Sequence, residues 1–167
     1  MGLRRVLRFT IGFVGIVGLT TLATHAAEPH KVPYPTGWRN WTHTKTMAIT
    51  SDQHPLFSAF GGIHHIYVNP TGLKAAKSGG TYPDGSVIVF DLLEWTESGG
   101  AYTEGARKLI GVMHKDSKKF KDTGGWGFEG FKGGDPKQRL VTDPATQCYN
   151  CHAAQKDKDF VFSQYRE

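Results

Sequence analysis

The chain has 167 residues, of which 38% are hydrophobic and 21% charged, with 21 glycines and only two cysteines. That is the length of one ordinary domain, and the composition excludes a disordered chain, a collagen-like or solenoid repeat and a disulfide scaffold. The formal net charge is +5, but Arg4, Arg5 and Arg8 supply three of those charges, so the rest of the chain stands at +2 and offers no basic surface suited to nucleic acid.

Residues 1–27 read as an export signal. Three arginines without an acid precede an apolar run over residues 9–23, and Thr24-His25-Ala26-Ala27 offers small residues for cleavage near Ala26 or Ala27. The run is shorter than the roughly 20 residues of a spanning helix, and glycines and threonines interrupt it. Residues 28–167 are therefore expected to form a single exported domain, with no membrane attachment once the signal is removed.

Along that domain, Pro29, Pro33 and Pro35 mark an extended lead-in, followed by Trp38 and Trp41 on a short helix. GIHHIYVN (62–69) reads as a strand closed by Asn69-Pro70, and residues 73–77 as a helical turn stopped by Gly79-Gly80. Pro83-Asp84-Gly85 signals a turn. SVIVFDLLEW (86–95) is the strongest strand, being rich in β-branched and aromatic residues. Residues 107–114 predict another strand, 116–120 a helical turn, and GWGFEGF (125–131) a strand with close backbone approach at its glycines. Several strands between Gly-rich turns imply a mainly β, α+β domain: an antiparallel sheet packed on short helices. Asp143 as cap and Pro144 as first helical residue start a C-terminal helix over 145–156.

That helix carries Cys148-Tyr149-Asn150-Cys151-His152, a C-x-x-C-H sequence. Residues three apart share a helix face, so both thiols can reach the two vinyl groups of one haem, and the adjacent histidine can ligate its iron. Export agrees, because c-type haem is attached outside the cytoplasm. Two other roles remain for the cysteines: a disulfide redox pair, which has no βαβ context here, and a zinc site, which lacks a second cysteine pair.

The sixth iron ligand is less defined. Met47 and Met113 are the methionines available beyond the signal. Met113 lies in a predicted strand, where methionine usually packs in the core, and Met47 falls in a segment of ambiguous structure. His64 and His65 are strand neighbours that point to opposite faces, so one of them can face the haem, although such histidines are more often exposed or hydrogen-bonded elsewhere. His30, His43, His54 and His114 have no partner at metal-ligand spacing. Phe57, Phe60, Tyr67, Phe90, Phe128 and Phe131 are expected in the core, some of them lining the haem.

YPDGSVIVFDLLEW (82–95), GIHHIYVNP (62–70), KDSKKF (115–120) and the C-terminal CxxCH followed by DFVFSQYR (159–166) occur in an order that resembles the cytochrome P460 family. The resemblance implies a dimeric periplasmic β protein holding one haem c with an open distal side. In the hydroxylamine-oxidising branch a lysine of the strand after the DG turn is cross-linked to the haem; that position corresponds to Phe90 here. An arginine of the upstream strand corresponds to His64. Lys74 and Lys77 precede the DG turn and do not match the cross-linking position. These departures are similar to the cytochrome c′-beta branch, in which phenylalanines cover the iron and nitric oxide and carbon monoxide bind. The resemblance then assigns Phe90 and Phe60 to the distal cover, with Phe57 as alternate to Phe60.

The reading from sequence is thus a periplasmic mono-haem gas-binding cytochrome. Cys148, Cys151 and His152 hold the haem, His152 ligates its iron, and Phe60, Phe90 and His64 lie on the distal side. Its expected partners are NO and CO, a second copy of the chain and a redox protein. The alternatives are a hydroxylamine-oxidising enzyme and a simple electron-transfer cytochrome. A four-helix cytochrome c′ also has a C-terminal CxxCH, but 86–95 carries no helical stripe.

Overall fold

The computed structural model describes residues 1–2 and 31–167. Apart from its first two residues, the expected signal segment lies outside these. Five strands form one antiparallel sheet in chain order: β1 (Thr42–Ile49), β2 (Gly62–Val68), β3 (Val87–Ser98), β4 (Ala101–Lys115) and β5 (Trp126–Lys132). The expected strands at 62–69, 86–95, 107–114 and 125–131 are all present, and β3 and β4 run further than expected. They extend into a hairpin arm that turns at Gly99 and Gly100, both at positive φ (61° and 79°). Two consecutive left-handed residues close a two-residue hairpin whose twist matches that of the strands, which is why both positions are glycine.

β1 is the strand that the sequence leaves ambiguous. Its signal is Thr42, Thr44 and Thr46 at every second position, and Thr44 is buried and donates its hydroxyl to the Ile66 carbonyl of β2 (3.2 Å).

Two short helices cross the strand ends. α1 (Phe57–Phe60) leads into β2. α2 (Pro70–Ser78) begins at the expected Asn-Pro: the Asn69 side chain accepts from Gly72 N–H (3.0 Å) and Val87 N–H (3.0 Å) and donates to the Gly85 carbonyl (2.9 Å). One asparagine thus caps the helix and ties it to the start of β3.

The register places side chains in rows across the sheet. Lys45, Ile66, Phe90, Gly111 and Gly130 face each other on successive strands; Met47, His64, Leu92 and Leu109 form the next row. Directly opposed residues share a face, so both rows look toward the C-terminal helical stretch. The other face buries Val89, Val112, Ile110 and Phe131 beneath Val32, Trp38 and Phe120. Arg107 clamps Asp91 there through two hydrogen bonds (2.6 and 3.2 Å).

The C-terminal helix is not one regular α-helix. It winds as a wide π-type turn over Ala145–Tyr149, a single α-turn over Asn150–His152 and a tighter stretch over Ala153–Lys158. The start is as expected: Asp143 Oδ1 accepts from Ala145 N–H (3.0 Å), and Pro144 is the first helical residue. Among the described residues no helix is long and apolar enough to cross a membrane.

Candidate functional site

Between the sheet face and the C-terminal stretch lies a cavity of about 460 Å³ with mostly apolar walls. This is within the usual range for a cofactor pocket. Cys148, Cys151 and His152 line one side. Phe60, His64 and Phe90 also line it, from α1, β2 and β3. The fold therefore gathers all six expected site residues around one space. His152 packs against Phe128 of β5 (ring centroids 5.0 Å apart), whereas His64 stands on β2. Three strand spacings, roughly 14 Å, separate those two strands across the sheet.

The cysteines are both free: Cys148 is half-buried and Cys151 exposed. Burial pushes the Cys148 thiol up to about 11, with Glu129 and Asp143 adding to the effect, so it is no ready thiolate of a redox pair. Among the described residues no group of three or more His, Cys, Asp or Glu side chains is placed to hold a metal ion by itself. A redox dithiol and a protein-only zinc site thus both lack support in the geometry.

His152 is held at one nitrogen. Its Nδ1 donates to the Phe160 carbonyl (2.7 Å), while Phe128 and Phe162 pack on its ring. With the proton on Nδ1, the Nε2 lone pair is left for a metal. Burial lowers the pKa of this histidine, partly opposed by the Phe160 bond, which keeps the ring neutral and able to ligate.

The carbonyl that does this belongs to an unusual turn. Asp159 (φ 51°) and Phe160 (φ 65°) are both left-handed, and they are the only non-glycine residues at positive φ among those described. Aspartate tolerates that region; a phenylalanine there carries strain of about 1–2 kcal/mol. The Phe160 ring lies over Gly124, where a β-carbon would come within 2.4 Å of it.

On the other side of the cavity, Phe60 meets Phe90 edge-on (5.5 Å) and His64 lies tilted against Phe90 (4.5 Å). Phe90 extends over Gly111, whose absent side chain makes space for it: a β-carbon at Gly111 would sit 3.3 Å from that of Phe90. Phe60 is 37% exposed at the mouth, not in the core as expected for the aromatics. Phe131 and Tyr67 belong to the opposite face, and Phe57 is absent from the cavity lining.

Of the paired histidines, His65 is the hydrogen-bonded one, held by Thr46 Oγ1 (2.8 Å) and Glu104 (3.1 Å). His64 is only 9% exposed, and its Nδ1 is buried without a partner. Burial, then the charges of His65 and Lys45, push its pKa down to about 4. An unpaired buried imidazole is costly unless something in the cavity meets it.

Sequence reasoning did not find Lys45, Leu56, Leu140 or Phe162, which also line the cavity, nor did it place Met47 there. Alternation in β1 signals Lys45 and Met47; nothing local signals the other three.

A site with one oriented imidazole, two thiols one helical turn apart and an apolar slot fits a haem with a proximal histidine. The family model for cytochrome P460 matches residues 35–163, nearly the whole described domain. The chain belongs to the cytochrome P460 family. Among curated proteins, no sequence matches it. Membership of the cytochrome P460 family implies a haem c protein, and the mainly antiparallel fold with a C-terminal helix beside the cysteines agrees with it. Within a cytochrome P460 site, Phe90 occupies the centre of the sheet face, in the row of Lys45, Ile66, Gly111 and Gly130.

Proposed function

We propose that this protein is a periplasmic mono-haem c-type cytochrome of the c′-beta kind, which binds NO and CO at a five-coordinate iron. Cys148 and Cys151 form the two thioethers, and His152 is the proximal ligand. One observation carries the reading: the imidazole whose Nδ1 is committed to Phe160 shares one cavity with both cysteines and with the packed rings of Phe60 and Phe90. When bound, haem iron supplies one open coordination position for a diatomic ligand.

The rest is the work of the chain. Phe160 fixes the His152 tautomer and raises its basicity. Phe60 and Phe90 exclude water and offer no donor, which disfavours O₂, since its bound form draws negative charge and needs a hydrogen bond. NO and CO bind without one. His64, neutral at pH 7, has a single N–H to donate, and a role in raising O₂ affinity depends on its reaching the ligand. At the family's cross-linking position Phe90 has no nucleophile, so hydroxylamine is not turned over. The role is NO sensing, carriage or scavenging, exercised as a homodimer and coupled to a redox partner.

Intact mass of the exported protein after denaturation tests the attachment: it should equal the processed chain plus one haem, and haem lost on acid–acetone extraction would refute it. The visible spectrum tests the rest. A high-spin ferrous c-type spectrum is expected. A low-spin spectrum would favour the second reading, electron transfer with Met47 or His64 as sixth ligand; that reading rests on their pairing in one row along the cavity wall.

A further inference from the structure

We infer that Lys115 and Asp159 are positioning residues for His152: their buried ion pair latches the strained turn whose carbonyl holds the histidine. The inference rests on the proposed haem ligation by His152 and adds to it the part of the fold that sets the strength of that ligand.

Lys115 ends β4, and Asp159 lies 44 residues on, in the turn after the helical stretch. Their charged atoms are 2.6 Å apart, with side chains only 7% and 9% exposed. Both side chains have further partners. Lys115 Nζ also donates to the Gly124 carbonyl (3.2 Å) and lies over the Trp126 ring (5.0 Å). The second oxygen of Asp159 accepts from Tyr82 N–H (2.8 Å), and its backbone carbonyl accepts from the indole N–H of Trp126 (2.8 Å). One residue is thus held at three points by three segments of the chain. The next residue, Phe160, is left-handed, its ring trapped over Gly124 and against Tyr149. Its carbonyl accepts the hydrogen bond from His152 Nδ1.

A buried ion pair is a weak device for stability, because desolvation cancels most of its attraction. It is a good device for holding one conformation that the backbone would not choose. Here the conformation held is the one that aims a carbonyl at Nδ1. A firm hydrogen bond at Nδ1 gives the histidine more anionic character, which strengthens its bond to iron and favours the ferric state. Neither Lys115 nor Asp159 lines the cavity, so their route to His152 runs through Phe160.

The test is resonance Raman spectroscopy of the ferrous haem-loaded protein, with its reduction potential. Trp126→Phe removes one donor to Asp159 without changing charge. Lys115→Met removes the cation, Asp159→Asn the anion, and Lys115→Arg keeps the pair. The expected result is a lower iron–histidine stretching frequency in the first three variants and recovery in Lys115→Arg. The potential should rise in Lys115→Met, whereas loss of a bystander cation would lower it. Where a single variant does not accumulate, Lys115→Met/Asp159→Asn leaves no unpaired buried charge and should show the same lower frequency. Unchanged frequencies in Trp126→Phe and the double variant would overturn the inference while leaving haem binding intact. A wild type with no iron–histidine band would refute the five-coordinate, His152-ligated reading on which the inference rests.

Discussion

Alanine at Gly124 tests how tightly the proximal turn is built. Gly124 has φ 67°, and an added β-carbon would lie 2.4, 2.5 and 2.9 Å from three atoms of the Phe160 ring. Two penalties combine: about 1 kcal/mol for a left-handed alanine, and about 1–3 kcal/mol for forcing a methyl into packed space. Gly79 separates them. It caps α2 at φ 71° with nothing within 4 Å of its added β-carbon, so Gly79→Ala bears the backbone penalty alone. Urea unfolding of the haem-loaded variants should show a loss of about 1 kcal/mol for Gly79→Ala and about 2–4 kcal/mol for Gly124→Ala. Adding Phe160→Ala to Gly124→Ala should recover the packing part, a non-additivity expected only for residues in contact. Equal losses in the two glycine variants, or strict additivity with Phe160→Ala, would refute the close approach of Phe160 to Gly124.

Phe90→Ala and Phe60→Ala should each speed CO and NO association, measured by flash photolysis, because they open the apolar cover; unchanged rates in both would show that the rings do not gate the iron. Stability should fall as pH drops from about 6.5 to 4: folded His64 takes its proton only near 4, while the unfolded chain takes one near 6.5 and so binds more protons in between. The loss is at most about 2 kcal/mol between pH 7 and pH 5, and urea midpoints across that range should be flatter in His64→Phe than in wild type. On the far face, Asp91→Ala should cost about 2–3 kcal/mol, since Arg107 loses a buried bidentate partner, yet leave CO binding rates unchanged.

Much of this site was legible in the chain alone, because its information is local. A C-x-x-C-H sequence places two thiols and an imidazole within one turn of helix whatever surrounds them, and Asp143-Pro144 starts that helix by its own chemistry. Strands β2, β3 and β5 announce themselves by composition, and Asn69-Pro70 by capping. The phenylalanine at position 90 is likewise a fact of sequence, and with the family resemblance it argues against the cross-linked chemistry.

What the tertiary structure decided depends on residues far apart in the chain. Which of His64 and His65 faces the cavity follows from strand register, since a slip of one residue would exchange them. β1 escaped notice because its alternation is of threonines, polar residues that read as loop until a partner strand supplies their hydrogen bonds. Leu56, Leu140 and Phe162 reach the cavity from connecting segments, where no periodicity marks them. The left-handed turn at Asp159 and Phe160 carries no glycine to betray it. It exists because Lys115, Trp126, Tyr82 and Gly124 converge from elsewhere in the fold, and a local sequence cannot encode a conformation that only distant partners make affordable.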